Sequence, residues 1–335
     1  MTKHSLETQT EYYEALYDPT SLSVIESRPS RTNRPRKPKQ VAAAQSGELD
    51  LDINTEEGFT TTYHPARYEK GFLLQSLHSF YEEALISDVL AKVRGGKEAS
   101  VYRCQANPVT GIEFAAAKVY RPRMFRSLRN DAIYREGREI IDSRGIAMKK
   151  SDHRVMCALG KKTTFGLQVA QTSWLAHEYV TMRKLFQAGA RVPRPLGAND
   201  HAILMSYCGD ANLAAPTLNE VDLEPDEARR LFNLVMHNIE LFLQQDLIHG
   251  DLSAYNILYW QGEITLIDFP QVTSSQGNRN AYTILQRDIA RVCDYFAQFT
   301  MVDDAEVICR SLWQRYMKRD PYFELADASR TWEEA

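Results

Sequence analysis

Apolar residues recur at helical spacing between Tyr68 and Leu85, where Phe72, Leu73, Leu77, Phe80, Tyr81 and Leu85 fall on one side of an amphipathic helix. The pattern then shortens. A glycine-containing turn in the run RGGKEASVY at 94–102 enters an apolar strand, and AAAKVY at 115–120 reads as a small strand with one charge, Lys118, inside it. A second helix is predicted from near Ser173, with Trp174, Leu175, Val180, Met182, Leu185 and Phe186 as its inner face and Glu178 among them. AILMSYCGD at 202–210 reads as a buried strand leaving into a linker. Two short apolar runs, Ile257 to Tyr259 and Ile264 to Ile267, flank a turn at Gln261 and Gly262 and predict a hairpin. Helical spacing returns in YTILQRDIARVCDYFAQF.

The hairpin carries the chemistry. From Leu247 to Gln271 the chain reads LIHGDLSAYNILYWQGEITLIDFPQ. Asp251 lies in a loop after His249 and Gly250, Asn256 sits at the edge of the first strand, and Asp268 leaves the end of the second. Side-chain oxygens from all three reach one cleft, a set suited to a divalent cation chelated by a polyphosphate. The blander reading is a polar turn between two core strands, but a hairpin has no structural need for three such groups. A phosphoryl donor also needs a cation near its phosphates. Lys118 fits that need, with Glu178 as its preferred helix partner and Glu139 as a rival. Taken singly, two glycines are usually a turn and a strand lysine is usually a solvated edge residue. Their order along the chain, from glycine turn through strand lysine and helix glutamate to the HGD loop and strand aspartate, is the order a two-lobed phosphotransferase requires.

Composition bounds the rest. At 335 residues, 44% hydrophobic and 25% charged, the chain buries a substantial core, and its net charge of -4 names no partner. Residues 1–60 mix a basic run, RPSRTNRPRKPK, with an acidic one, ELDLDINTEE, and are expected to be mostly disordered. The interval 121–162 holds twelve Lys or Arg against five Asp or Glu and is expected to be a basic flexible loop. Either basic segment suits RNA or a ribosomal particle, against the blander reading of solvated charge. The five cysteines, Cys104, Cys157, Cys208, Cys293 and Cys309, lack metal-type spacing, so reduced thiols in a cytoplasm are expected. No apolar run approaches the ~20 residues of a membrane span, and no membrane partner is expected.

H-G-D-L-S-A-Y-N followed by D-F-P keeps the spacing of the protein-kinase pattern H-R-D-x-x-x-x-N and D-F-G, with Gly250 replacing Arg and Pro270 replacing Gly. The stretch VTSSQGNRN after Gln271 leaves no room for a long activation segment. Together with GGKEASVY, AAKVY, the Trp174 to Glu178 spacing, ILMSYCGD and IDFPQ, the chain resembles the RIO family of atypical serine protein kinases over roughly residues 67–300. HGDLSAYN and GKEASVY look closest to the first RIO subfamily, whereas DFPQ looks like the second. Residues 1–60 are too polar for the winged helix of the second, which favours a divergent member of the first.

The resemblance implies an α+β, two-lobed, protein-kinase-like fold with a small β-rich N-lobe at 67–205, including a leading helix, and a hinge and larger helical C-lobe at 206–335. It implies ATP and Mg2+ as cofactors, with Mn2+ as an alternative ion. It implies Asp251 as catalytic base, Asn256 and Asp268 as metal ligands, and Asp268 as the site of a phosphoaspartate. By the same likeness Gly96, Lys97, Ser100, Lys118 and Glu178 serve the phosphates, and Ser206 and Cys208 offer backbone groups to adenine. The expected activity is serine/threonine phosphorylation of a protein or of itself, or ATP hydrolysis, in ribosome assembly. Two rivals stand: a small-molecule phosphotransferase of the aminoglycoside or choline kinase type, and a nucleotide-gated assembly factor with little phosphotransfer.

Overall fold

The computed structural model describes residues 59, 61–96, 99–120, 140–142, 145–148, 152–161 and 163–316. The tail expected at 1–60 lies almost wholly outside the described residues, as do Lys97, Glu139 and much of the basic interval.

The first helix, α1 (Arg67–Glu82), follows its apolar stripe: Leu73, Leu77 and Phe80 are buried. It packs on a sheet built from β1 (Ile86–Gly95), β2 (Ala99–Ala106) and β3 (Phe114–Tyr120). Two helices follow, α2 (His153–Gly160) and α3 (Thr164–Gln187), and then β4 (Pro195–Ala198) and β5 (Ala202–Ser206) complete the sheet. Its order is β1-β2-β3-β5-β4, with every neighbouring pair antiparallel. Strand alternation sorts the sheet into two faces. Tyr102, Cys104, Ala115, Ala117 and Val119 join α1 in one apolar cluster, and Tyr120 belongs instead to the second. Lys118 is an even-numbered neighbour of Tyr120 on β3, so it too looks away from α1.

The larger cluster fills the helical part. Amphipathic α4 (Pro225–Gln244) and α5 (Ala281–Phe296) bury Leu231, Val235, Phe242, Ile289, Val292 and Phe296, and α6 (Ala305–Tyr316) closes them with Trp313. Between α4 and α5 lie β6 (Leu247–Ile248) paired with β9 (Thr273–Ser274), and the hairpin β7 (Ile257–Trp260) with β8 (Glu263–Leu266). The cluster runs on into α3 through Leu175, Met182 and Leu185, each burial contributing about 1.5–3 kcal/mol. The molecule is therefore α+β, with a small sheet-rich part ahead of a larger helical one. Only residues 271–280 separate Pro270 from α5, so no long activation segment intervenes.

Three expectations are corrected. α3 starts more than two turns before Ser173, because the Thr163 hydroxyl caps it by accepting the Gly166 N–H at 3.1 Å. Phe186 is 41% exposed, since the helix turns Leu185, not Phe186, onto the core. Part of the expected basic loop is helical: Asp152 caps α2 by accepting the Val155 N–H at 3.3 Å.

Candidate functional site

Lys118 and the loops below the sheet meet in one cluster. Its Nζ lies 2.6 Å from Glu178 Oε1 on α3 and 2.6 Å from Asp268 Oδ1 after β8. The second Glu178 oxygen accepts a hydrogen bond from the Tyr120 hydroxyl at 2.6 Å. Glu178 is almost fully buried, whereas the Asp268 side chain keeps 43% of its surface exposed. Burial opposes the Lys118 charge, but the Asp268 and Glu178 carboxylates outweigh it and hold the ammonium well above the usual lysine range. Burial also opposes the Asp268 carboxylate, and Lys118 more than offsets it, so that carboxyl titrates below its usual range. Burial, reinforced by Glu178, pushes the Tyr120 phenol up.

The HGD loop is shaped by a net of backbone contacts. His249 is buried and stacked on Phe242, with Phe269 at 5.5 Å. Its Nδ1 accepts the Asp251 N–H at 3.3 Å and its Nε2 donates to the Ile267 carbonyl at 3.1 Å. One ring therefore ties the Asp251 loop to the strand that precedes Asp268. Burial holds this imidazole below the usual histidine range, in the neutral tautomer those two bonds require. Gly250 has φ +83°, and a Cβ there would stand 2.3 Å from the Gln271 carbonyl oxygen. That close approach accounts for glycine where protein kinases carry arginine. Asn256 Nδ2 donates to the Asp251 carbonyl at 2.8 Å and lies 3.4 Å from Asp251 Oδ2, leaving Asn256 Oδ1 on the far side of the amide. Asp268 adopts φ +73°, the left-handed region that aspartate tolerates better than most residues.

The predicted residues are thus not all equivalent. Lys118, Glu178 and Asp268 are in direct contact, and Asp251 is joined to Asn256. Gly96 donates its N–H to the Ala99 carbonyl at 2.9 Å and forms the β1–β2 turn. Ser100 is a correction: its register partner is Val119, on the α1 face, and its hydroxyl lies by the Tyr102 phenol, while Val101 is the residue opposite Lys118. Strand alternation therefore turns the Ser100 side chain away from the cluster. Tyr207 donates to the Phe114 carbonyl at 3.3 Å, so Ser206 and Cys208 direct their backbone groups to the opposite edge. On that edge the Ser206 N–H is taken by the Arg194 carbonyl at 2.8 Å and the Cys208 carbonyl by the Ala215 N–H at 3.0 Å.

Three residues of α5 went unnoticed in the sequence. Asp288 Oδ2 accepts the Gly250 N–H at 2.7 Å, and Arg287 donates to the Gly250 carbonyl. Arg291 Nη1 lies 2.8 Å from Asp251 Oδ1. Burial raises the Asp288 carboxyl to about 7, against the backbone N–H groups that favour its charge. The available signal was charge placed inside an apolar helical stripe, between Leu285 and Ile289.

Comparison with known proteins follows the same lines. Over 219 residues, 63% of this chain and 38% of the other, the sequence is 29% identical to a protein of Schizosaccharomyces pombe named serine/threonine-protein kinase rio1. Over 226 residues, 67% of this chain and 68% of the other, it is 25% identical to the RIO-type serine/threonine-protein kinase Rio1 of Methanocaldococcus jannaschii. The chain spans about two fifths or less of the length of the first four curated relatives it matches, from 23% to 42%. Among solved structures it is similar to the Rio2 kinase of Chaetomium thermophilum in an ADP/Mg2+-phosphoaspartate complex, with a TM-score of 0.47, 19% identity and coverage of 81% and 80% of the two chains. The RIO domain model matches residues 132–307, just over half of the chain, and the chain belongs to the RIO domain family.

Proposed function

We propose that this chain binds ATP with Mg2+ between the five-stranded sheet and the helical part, and transfers the terminal phosphoryl group to a serine hydroxyl of a protein or of itself. The carrying observation is Lys118 held 2.6 Å from both Glu178 and Asp268, which joins the sheet, α3 and the hairpin at one point. The names of the relatives, serine/threonine-protein kinases, support the same acceptor class. Lys118 would meet the phosphates, with Glu178 holding it, and the Gly96 turn would cover them. The Ser206 carbonyl and Cys208 N–H are the backbone groups proposed for the adenine edge.

The donor set fits a magnesium ion. Asn256 Oδ1 and the half-exposed Asp268 carboxylate would be its two oxygen ligands from the protein, a number usual for Mg2+ bound together with a polyphosphate. Among the described residues no group of three His, Cys, Asp or Glu could hold a metal without such help. When bound, the ion supplies charge for the bridging phosphate oxygens. Asp251 would receive the hydroxyl proton as the acceptor oxygen bonds to phosphorus and the bond to ADP breaks. Asp268 is also a proposed acceptor, through a transient acyl phosphate that water hydrolyses, which would make ATP hydrolysis the main turnover.

The reading extends to a divergent first-subfamily member with lobes at 67–205 and 206–335 and a cytoplasmic location that keeps its five free cysteines reduced. It also takes a ribosomal particle or RNA as partner through the basic segments. No helix of the described residues is long and apolar enough to cross a membrane. The test is labelled ATP with Mg2+, following label to serine, to a hydroxylamine-sensitive aspartyl phosphate, or to free phosphate. Asp251→Asn and Asp268→Ala should each abolish turnover while the protein stays folded; normal turnover in both ends the proposal.

A further inference from the structure

α5 presents two arginines to the HGD loop one turn apart. Arg287 is spent on the Gly250 carbonyl, a backbone contact that shapes the loop. Arg291 is different, because its partner is the carboxylate of Asp251, at 2.8 Å, and both side chains remain about two-fifths exposed, 41% and 39%. A guanidinium has five N–H donors in a planar fork, and Asp251 uses one end of it. The guanidinium lies on the Oδ1 side of that carboxylate, beside the place an acceptor hydroxyl would take under the proposed function. The metal side of that carboxylate is marked by Asn256, 3.4 Å from Oδ2.

We infer that Arg291 is a specificity-determining residue that selects acceptors with an anionic group beside the reacting hydroxyl, a serine flanked by acidic residues. The inference rests on the reading of Asp251 as the base. A cation fixed at the acceptor edge attracts a neighbouring carboxylate and repels a neighbouring lysine or arginine, so one residue supplies both the attractive and the repulsive half of the discrimination. Arg291 also orients Asp251, and that second role is shared by every acceptor. It therefore cancels in a ratio between two acceptors, whereas charge selection does not.

The experiment compares kcat/KM for two serine peptides of equal length, one acidic and one basic around the serine, using the full chain with ATP and Mg2+. The wild type should favour the acidic peptide. Arg291→Ala should shrink that preference by roughly three- to five-fold, the scale of a solvent-exposed ion pair. Arg291→Lys should keep most of it, and Arg291→Glu should turn it toward the basic peptide. A ratio that is the same in all four proteins overturns the inference and leaves the phosphotransferase reading standing. Absence of transfer by the wild type to either peptide overturns the inference alone if the protein still labels itself or releases phosphate from ATP, and overturns both if it does neither with ATP still bound. Circular dichroism melting of each variant identifies a fold defect, and Arg291→Lys supplies the comparison if the alanine variant is unfolded.

Discussion

At Gly250 the backbone sits at φ +83° with room for no Cβ, the nearest atom being the Gln271 carbonyl oxygen at 2.3 Å. Gly250→Ala adds the left-handed penalty of about 1–2 kcal/mol and a clash with main chain that cannot rotate away. The expected result is a loss of at least about 2 kcal/mol in urea unfolding and no phosphate release; an unchanged midpoint contradicts the geometry. Asp288 makes a pH prediction. Its carboxyl is raised from 3.8 to about 7, so between these values the folded protein holds a proton that the unfolded chain has lost. Its contribution to stability therefore falls as pH rises from about 4 to about 7 and is flat above. Asp288→Asn should remove that slope, read as the difference between wild-type and variant unfolding free energies across pH. Asp288→Ala also removes the slope but strands the Gly250 N–H, and should cost about 1–3 kcal/mol near pH 4, less as pH rises toward 7.

Elements whose apolar period is strong were legible without coordinates: α1, the β3 strand around Lys118, the β7–β8 hairpin and α5 all lie where their patterns put them. The α2–α3 corner was not, and the reason is physical. Those helices meet through backbone, since a Cβ on Gly166 would stand 2.0 Å from the Ala158 carbonyl oxygen, and a contact between main chains leaves no hydrophobic stripe to read. Likewise Ser100 looked like part of the glycine turn in sequence, but a one-residue step along a strand reverses the face. Arg291 was invisible because only folding brings α5 beside the HGD loop. Gly166→Leu should wedge α2 off α3 and speed amide hydrogen exchange across His153–Gly160, with a destabilisation of about 1–3 kcal/mol. Unaltered exchange there would mean the corner is looser than the contact implies.

Across the whole molecule, Lys118 is the point where the two parts lock. It rides on the sheet, its buried partner Glu178 belongs to α3, and its half-exposed partner Asp268 belongs to the hairpin below. An ammonium shared between two carboxylates is not fully directed at a phosphate, so under the proposed function the nucleotide must compete with Asp268 for Lys118. A cation that takes the Asp268 carboxylate removes that competitor. Mg2+ should therefore tighten binding of ATP by calorimetry and leave adenosine, which has no phosphates to meet Lys118, unchanged. Asp268→Ala removes the competitor and the ligand together, so the variant should bind metal-free ATP at least as well as the wild type and gain little from Mg2+. Thermal stability must follow the same order, because a ligand at a hundred times its Kd adds about 2.7 kcal/mol to the folded state. Equal tightening of adenosine and ATP by Mg2+ would place the ion's effect somewhere other than the Lys118–Asp268 contact.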